Sequence, residues 1–104
     1  MTQISTHVLD TARGLPVSGL SVRLDRRHDD GAWQPVGDTV TDADGRVRGL
    51  ADDDGPGTYR LVFATAPISP FFPEVTLTFR VSDEPHLHVP LLLSPYGYST
   101  YRGS

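Results

Sequence analysis

An all-β sandwich or barrel is the fold class that the sequence predicts, and three observations predict it. Nine prolines and ten glycines cut the chain into short runs rich in Val, Leu, Thr and Phe, the pattern of strands set between turns. Several runs alternate apolar and polar residues with the period of two that a half-buried strand requires. No window holds a helical period over the length a helix needs. At 104 residues, one domain spanning 1–104 is expected.

The elements follow in order. The first strand is expected over residues 4–10, ISTHVLD. ARGLPVSG is a turn, with Gly14 and Pro16 ending the strand. In LSVRLDRR, Leu20, Val22 and Leu24 face one way and Ser21, Arg23 and Asp25 the other. HDDG closes a hairpin on Asp30 and Gly31. AWQPVGDTVT returns, and Pro35, which cannot donate to a ladder, puts it at an edge or a bulge. DADG turns again, RVRGL is a short strand, and DDDGPG is a loop in which Asp52, Asp53 and Asp54 read as a solvated charge run. TYRLVFA places Tyr59, Leu61 and Phe63 on one face. TAPISPFFP, with its three prolines, reads as irregular. EVTLTFRV alternates strictly, with Val75, Leu77, Phe79 and Val81 inward and Thr76, Thr78 and Arg80 outward. After SDEP turns the chain, HLHVPLLL and YSTYR form the last two strands, joined through SPYG. The count is seven or eight strands, with no internal repeat, linker or low-complexity segment.

Composition removes several function classes. Cysteine is absent, so no disulfide or thiolate metal site can form. A net charge of −4 argues against nucleic acid, which calls for a basic footprint. All nine basic residues are arginine, and without lysine there is no Schiff-base chemistry. No apolar run reaches the ~18 residues of a membrane span. MTQISTHVLD lacks the basic start and apolar stretch of a signal peptide. A soluble cytoplasmic protein is the expectation.

The residues that could carry chemistry gather in few places. On a strand, HLHVPLLLS points Leu87, Val89, Leu91 and Leu93 into the core and His86, His88, Pro90 and Leu92 away from it. Two histidines on a non-core face have three readings: ordinary polar surface, a metal-chelating pair, or an acid and base near neutral pH. The metal reading needs a third ligand; His7 is available, but no second-shell carboxylate flanks the pair. His7 lies near the middle of the first strand, where a lone histidine is more often structural. Arg46 follows the Asp-Gly turn and, alone, reads as a surface arginine. That turn lacks the spaced ligands and terminal Glu of an EF-hand loop, which excludes calcium there.

Read whole, STHVLDTARGLPVSGLSVRL near one end and HVPLLLSPYGYSTYRGS at the other resemble the 5-hydroxyisourate hydrolases, the enzyme branch of the transthyretin family. The resemblance covers nearly the whole chain, and the terminal YRGS is its most specific part, because the hormone-carrying transthyretins do not end that way. It implies a transthyretin-like β-sandwich in two sheets. It also implies a catalytic set of His7, Arg46, His88 and the terminal Tyr101, Arg102, Gly103 and Ser104, with His86 as the other member of the family's His-x-His pair. One departure is visible. Only TAPISP lies between Ala64 and Phe71, too short and proline-rich for the family's usual short helix, which is expected to be reduced or absent.

The activity so implied is ring opening of 5-hydroxyisourate by water at an amide carbonyl. Such a reaction needs a neutral imidazole to take the proton of the attacking water, a fixed cation or N–H group for the developing oxyanion, and a planar donor fork to orient a flat, carbonyl-rich ring. The resemblance accordingly casts His7 and His88 for the water and its proton, Arg46 for the oxyanion, Arg102 as a second fork and Ser104 as a hydrogen-bonding end. Which histidine is the base stays open. No metal or cofactor is implied. The partners implied are the small-molecule substrate and other copies of the chain, in a homotetramer built as a dimer of dimers with sites between the dimers; no nucleic acid and no membrane are implied. A transthyretin-like carrier without catalysis is the alternative, and the intact set of histidines, arginine and terminal residues weighs against it.

Overall fold

Alternating side chains decide which side of each strand is buried, and ten strands result among the described residues. A computed structural model describes residues 2–50 and 55–103. In chain order the strands are β1 (Gln3–Asp10), β2 (Leu15–Pro16), β3 (Ser21–Arg27), β4 (Trp33–Val40), β5 (Arg46–Leu50), β6 (Gly57–Phe63), β7 (Val75–Val81), β8 (His86–His88), β9 (Leu91–Ser94) and β10 (Gly97–Thr100). One sheet has the order β4-β3-β6-β7, with every neighbouring pair antiparallel. The other has six strands gathered around β1. The order β10-β9-β1-β2 forms its spine, and β5 and β8 also pair with β1. β1 is antiparallel to β2 and β5 and parallel to β8 and β9.

The inner faces meet in one apolar core. Ile4 and Val8 from β1, Val22 and Leu24 from β3, Leu61 and Phe63 from β6, Val75 from β7 and Leu91 from β9 are all but inaccessible to solvent. Their burial supplies the main drive for folding, about 1.5–3 kcal/mol for each large aliphatic side chain. The alternation expected for LSVRLDRR and EVTLTFRV is present in the burial of Val22, Leu24, Val75, Leu77 and Val81. β4 is an edge strand, and its register with β3 shifts between Leu24 and Asp25, opposite Gly37 and Pro35. Proline is tolerated at such a place because its missing N–H leaves no ladder bond unmade.

Three details differ from the reading of the sequence. The strands of the described residues number ten because β2 forms inside the expected turn and because HLHVPLLL is broken at Val89 and Pro90 into β8 and β9. The break leaves no carbonyl stranded: the Thr6 hydroxyl donates to the Val89 carbonyl at 2.6 Å and the Thr100 hydroxyl to the Pro90 carbonyl at 2.7 Å. Pro90 is buried rather than outward-facing. Asp25, expected on the polar side of β3, is 1% exposed, because arginines on β3 and β6 close over it. Between Ala64 and Phe71 the chain makes a single turn, in which the Ile68 and Ser69 N–H groups both donate to the Thr65 carbonyl. Among the described residues there is no helix, and none long and apolar enough to cross a membrane. Asp52, Asp53 and Asp54, read as a solvated run, lie outside the described residues.

Candidate active site

The outward face of β1 is the floor of the site. The buried residues Ile4, Thr6 and Val8 point inward, so Ser5 and His7 point outward. Register does the rest. β8 runs parallel to β1 with His88 opposite Ser5, and β5 runs antiparallel with Arg46 opposite His7. Three side chains far apart in sequence therefore share one face. They border a groove of about 280 Å³ lined by Ser5, Arg46, Arg48, His86 and His88. An adjoining hollow of about 330 Å³ lies between His7, Asp44 and Arg46, so Arg46 lines both.

The Asp-Gly turn places Arg46. One Asp42 carboxylate oxygen accepts from the N–H groups of Asp44 and Arg46, each at 2.9 Å. The bond from the Arg46 N–H is the main reason the Asp42 carboxyl is held below its ordinary value. Gly45 has φ +76°, and a Cβ there would lie 2.6 Å from the Val8 carbonyl oxygen. Only glycine meets both conditions without strain. The Val8 N–H in turn donates to the Gly45 carbonyl at 2.8 Å. The turn is thus pinned to β1 one residue past His7.

The two histidines are held differently. His7 bonds through Nε2 to the Asp44 carbonyl at 2.9 Å. A carbonyl only accepts, so Nε2 carries the hydrogen and Nδ1 of the neutral ring keeps its lone pair. His88 is half-buried, and its Nδ1 lies 2.8 Å from the Ser5 hydroxyl, which lies 2.9 Å from Nε2 of His86. Burial lowers the His88 pKa below its ordinary 6.5, and the charges of Arg46, His7 and His86 lower it further. His88 is therefore neutral at neutral pH and able to take a proton.

Other expected site residues are placed less centrally. Gly103 forms an isolated bridge with His88, its N–H donating to the His88 carbonyl at 2.7 Å. A Cβ at position 103 would sit 2.7 Å from Cδ2 of the His88 ring, so the close approach that calls for glycine is to this imidazole. Tyr101 and Arg102 turn to a separate hollow against β7, where Arg102 reaches Glu84 at 3.5 Å. The expected strand YSTYR accordingly stops at Thr100. Within one chain the structure gathers His7, Arg46, His88, His86 and Gly103, and leaves Tyr101 and Arg102 aside. Ser104 lies outside the described residues. Ser5 opens the STHVLD stretch that carries the resemblance, but the sequence reading gives it no role. The signal that could find it is the period of two that sets it on the His7 face.

Among the described residues the groove lining carries no carboxylate. The ion pairs among the described residues are Arg23–Asp25, Arg60–Asp25 and Arg102–Glu84, so Arg46 and Arg48 have no acidic partner there. No three His, Asp or Glu side chains of the described residues converge as a metal-binding set. A neutral imidazole beside a guanidinium that makes no direct ion pair suits proton abstraction next to a carbonyl that gains negative charge.

The chain is similar to known proteins over nearly its whole length. Residues 4–103 match the model of the HIUase/Transthyretin family. The 5-hydroxyisourate hydrolase of Caulobacter vibrioides is 47% identical over 100% of both chains. The uric acid degradation bifunctional protein TTL of Arabidopsis thaliana is 44% identical over 97% of this chain, which spans only 37% of that protein's length. Among solved structures, the 5-hydroxyisourate hydrolase of Klebsiella pneumoniae superposes with a TM-score of 0.82 at 33% identity, covering 100% of both chains. Sea bream transthyretin in complex with thyroxine superposes with a TM-score of 0.88 at 27% identity, over 97% of this chain and 94% of that one.

Proposed function

The chain belongs to the HIUase/Transthyretin family, and from that membership we propose that it hydrolyses 5-hydroxyisourate to 2-oxo-4-hydroxy-4-carboxy-5-ureidoimidazoline in urate degradation. The observation that carries the reading is the convergence of His7, Arg46 and His88 from three strands onto one face. The hydrolases among its relatives add support, one of them 47% identical from end to end. The slightly higher backbone likeness to a thyroxine-bound transthyretin does not redirect it, because a shared sandwich fixes the scaffold and not the chemistry.

In this mechanism a water attacks the ring amide carbonyl while an imidazole takes its proton. The C–N bond then breaks, and the departing nitrogen receives that proton. General base and acid assistance of this kind contributes about 10²–10⁴-fold. Arg46 faces the carbonyl oxygen as it becomes negative, a role worth roughly 10²–10³-fold for a well-aimed donor. Tyr101, Arg102 and Ser104 join the site in the assembled protein, a homotetramer of two dimers with the grooves between dimers. The outer edges of β7 and β10, unpaired among the described residues, support assembly, since open edges invite pairing. The domain spans residues 1–104, acts on a small molecule and works in the cytoplasm.

The test uses 5-hydroxyisourate generated in place by urate oxidase, with its decay followed by absorbance against the spontaneous rate. The expected result is acceleration in proportion to added protein. A folded chain that leaves the spontaneous rate unchanged overturns the hydrolase reading in favour of a carrier.

A further inference from the structure

We infer that Ser5 and His86 form a proton relay behind His88, with Ser5 as a positioning residue that sets the His88 tautomer and His86 as the relay's outlet to solvent. The inference rests on the hydrolase reading for its catalytic use and on the hydrogen-bond chain for its existence. The Ser5 hydroxyl lies 2.8 Å from Nδ1 of His88 and 2.9 Å from Nε2 of His86. No other side chain of the described residues bonds either ring nitrogen. Ser5 itself is 7% exposed, so the hydroxyl has little water to turn to. His88 is half-buried and His86 exposed. The three side chains thus lead from the groove to the surface.

A hydroxyl has one hydrogen to donate and lone pairs with which to accept. It can donate to one of the two rings only. When it donates to His86, it accepts from the Nδ1–H of His88, and Nε2 of neutral His88 is a free base. When it donates to His88, it accepts from the Nε2–H of His86, and Nε2 of His88 carries the hydrogen instead. The tautomers of the two rings are therefore coupled through Ser5. The first arrangement is the one that can accept a proton from water at His88 Nε2.

The surroundings favour moving that proton onward. His88 faces His7 on β1, Arg46 and Arg48 on β5 and His86 on β8, while the C-terminal segment meets it through the backbone of Gly103. A positive His88 would stand beside these basic groups with no carboxylate among the described residues of the groove lining. In the relay, the attacking water loses a proton to His88 Nε2. The Nδ1–H of His88 passes to the Ser5 oxygen as the Ser5 hydrogen passes to His86 Nε2. His88 is left neutral with its hydrogen on Nε2, and the positive charge sits on exposed His86. When the C–N bond breaks, the His88 Nε2–H goes to the departing nitrogen, and the proton on His86 returns through Ser5 to His88 Nδ1. Each proton is restored, and the net change is addition of one water across one amide bond.

The experiment compares the full chain with Ser5→Ala, Ser5→Thr, His86→Ala and the Ser5→Ala/His86→Ala double variant. Ring-nitrogen NMR of the 15N-labelled, substrate-free protein reads the tautomers, and 5-hydroxyisourate decay reads the rate. The relay predicts the same tautomer for His86 and His88 in the parent chain, with the hydrogen on Nδ1 of both rings. In His86→Ala the freed Ser5 hydroxyl donates to His88, and the Nε2–H tautomer takes over. Ser5→Ala and His86→Ala each slow hydrolysis by roughly tenfold, a small part of what acid–base assistance supplies. The double variant is no slower than either, because both break one unit. Ser5→Thr keeps the hydroxyl and most of the rate. Multiplying losses in the double variant, or a His88 tautomer indifferent to His86→Ala, overturn the relay. His86 is exposed, so that variant keeps the fold and the test stands even if Ser5→Ala does not. A parent chain that shows coupled tautomers yet no acceleration overturns the hydrolase reading, and the relay's catalytic use with it.

Discussion

Each sheet turns a polar cluster outward, and the two clusters are built on opposite electrostatic plans. On β3 and β6, Asp25 is 1% exposed and held by Arg23 at 2.8 Å and Arg60 at 2.7 Å. Arg60 also lies 4.3 Å over the Trp33 ring. Burial would raise the Asp25 carboxyl, but the hydrogen bonds from Arg23 and Arg60 outweigh it and hold the group below its ordinary value. On β1, β5 and β8, two arginines and two histidines line a groove with no carboxylate among its described residues, and burial there lowers His88. In the first cluster the charges answer one another, and no buried polar side-chain atom of the described residues lacks a partner. In the second, positive charge remains without an ion-pair partner among the described residues, beside a neutral imidazole, at a place open to a small molecule. The first arrangement belongs to structure, and the second is available for chemistry.

The sharpest way to break the comparison is to remove one arginine-centred interaction from each cluster. Arg46→Ala should lower kcat/KM about 10²–10³-fold with little change in urea stability, because Arg46 is exposed and lacks an acidic partner among the described residues. A loss of stability with the rate intact would make Arg46 structural. Asp25→Ala should do the reverse. It removes the acid from between two arginines and should cost about 3 kcal/mol in urea unfolding, the low end for a broken buried pair. Arg23 and Arg60 keep side-chain exposures of 40% and 27% and can return partly to water. The kcat/KM of the folded fraction should not move, and a tenfold fall would join the two clusters after all.

The smallest effect is in pH. His88 has a folded pKa below its ordinary 6.5, so between those two values the unfolded chain binds a proton that the folded chain does not. Its contribution to stability is complete above pH 6.5 and is lost as pH falls from there through the folded value. If His88 is the base, kcat/KM should stay level at neutral pH and decline only below 6.5. An acid limb at or above 6.5 would assign the base elsewhere. In Arg46→Ala the His88 ring, followed by NMR, should titrate higher, because Arg46 is one of the causes of its depression.

Much of this molecule was legible along the chain, because alternation and turn chemistry are local. Val75, Leu77 and Val81 could be assigned inward from EVTLTFRV alone, and Gly45 from an Asp-Gly turn. His7, Arg46 and His88 were legible as a set only through resemblance, since singly each has an ordinary explanation. The burial of Asp25 was not legible: one face of β3 reads as polar until arginines from two strands close over it.

The sequence by itself determined the all-β class, the turn positions and the side of each strand that seeks the core, since these depend on neighbours two to four residues away. Only the tertiary structure decided that the Ser5 hydroxyl would stand between two histidines 81 and 83 residues distant, that Pro90 would be buried in a broken strand, and that Gly103 would close on the His88 ring. Those outcomes depend on register between strands far apart in the chain. Register is set by how the whole apolar set fits into one core, and a slip of one residue would turn every side chain to the other face.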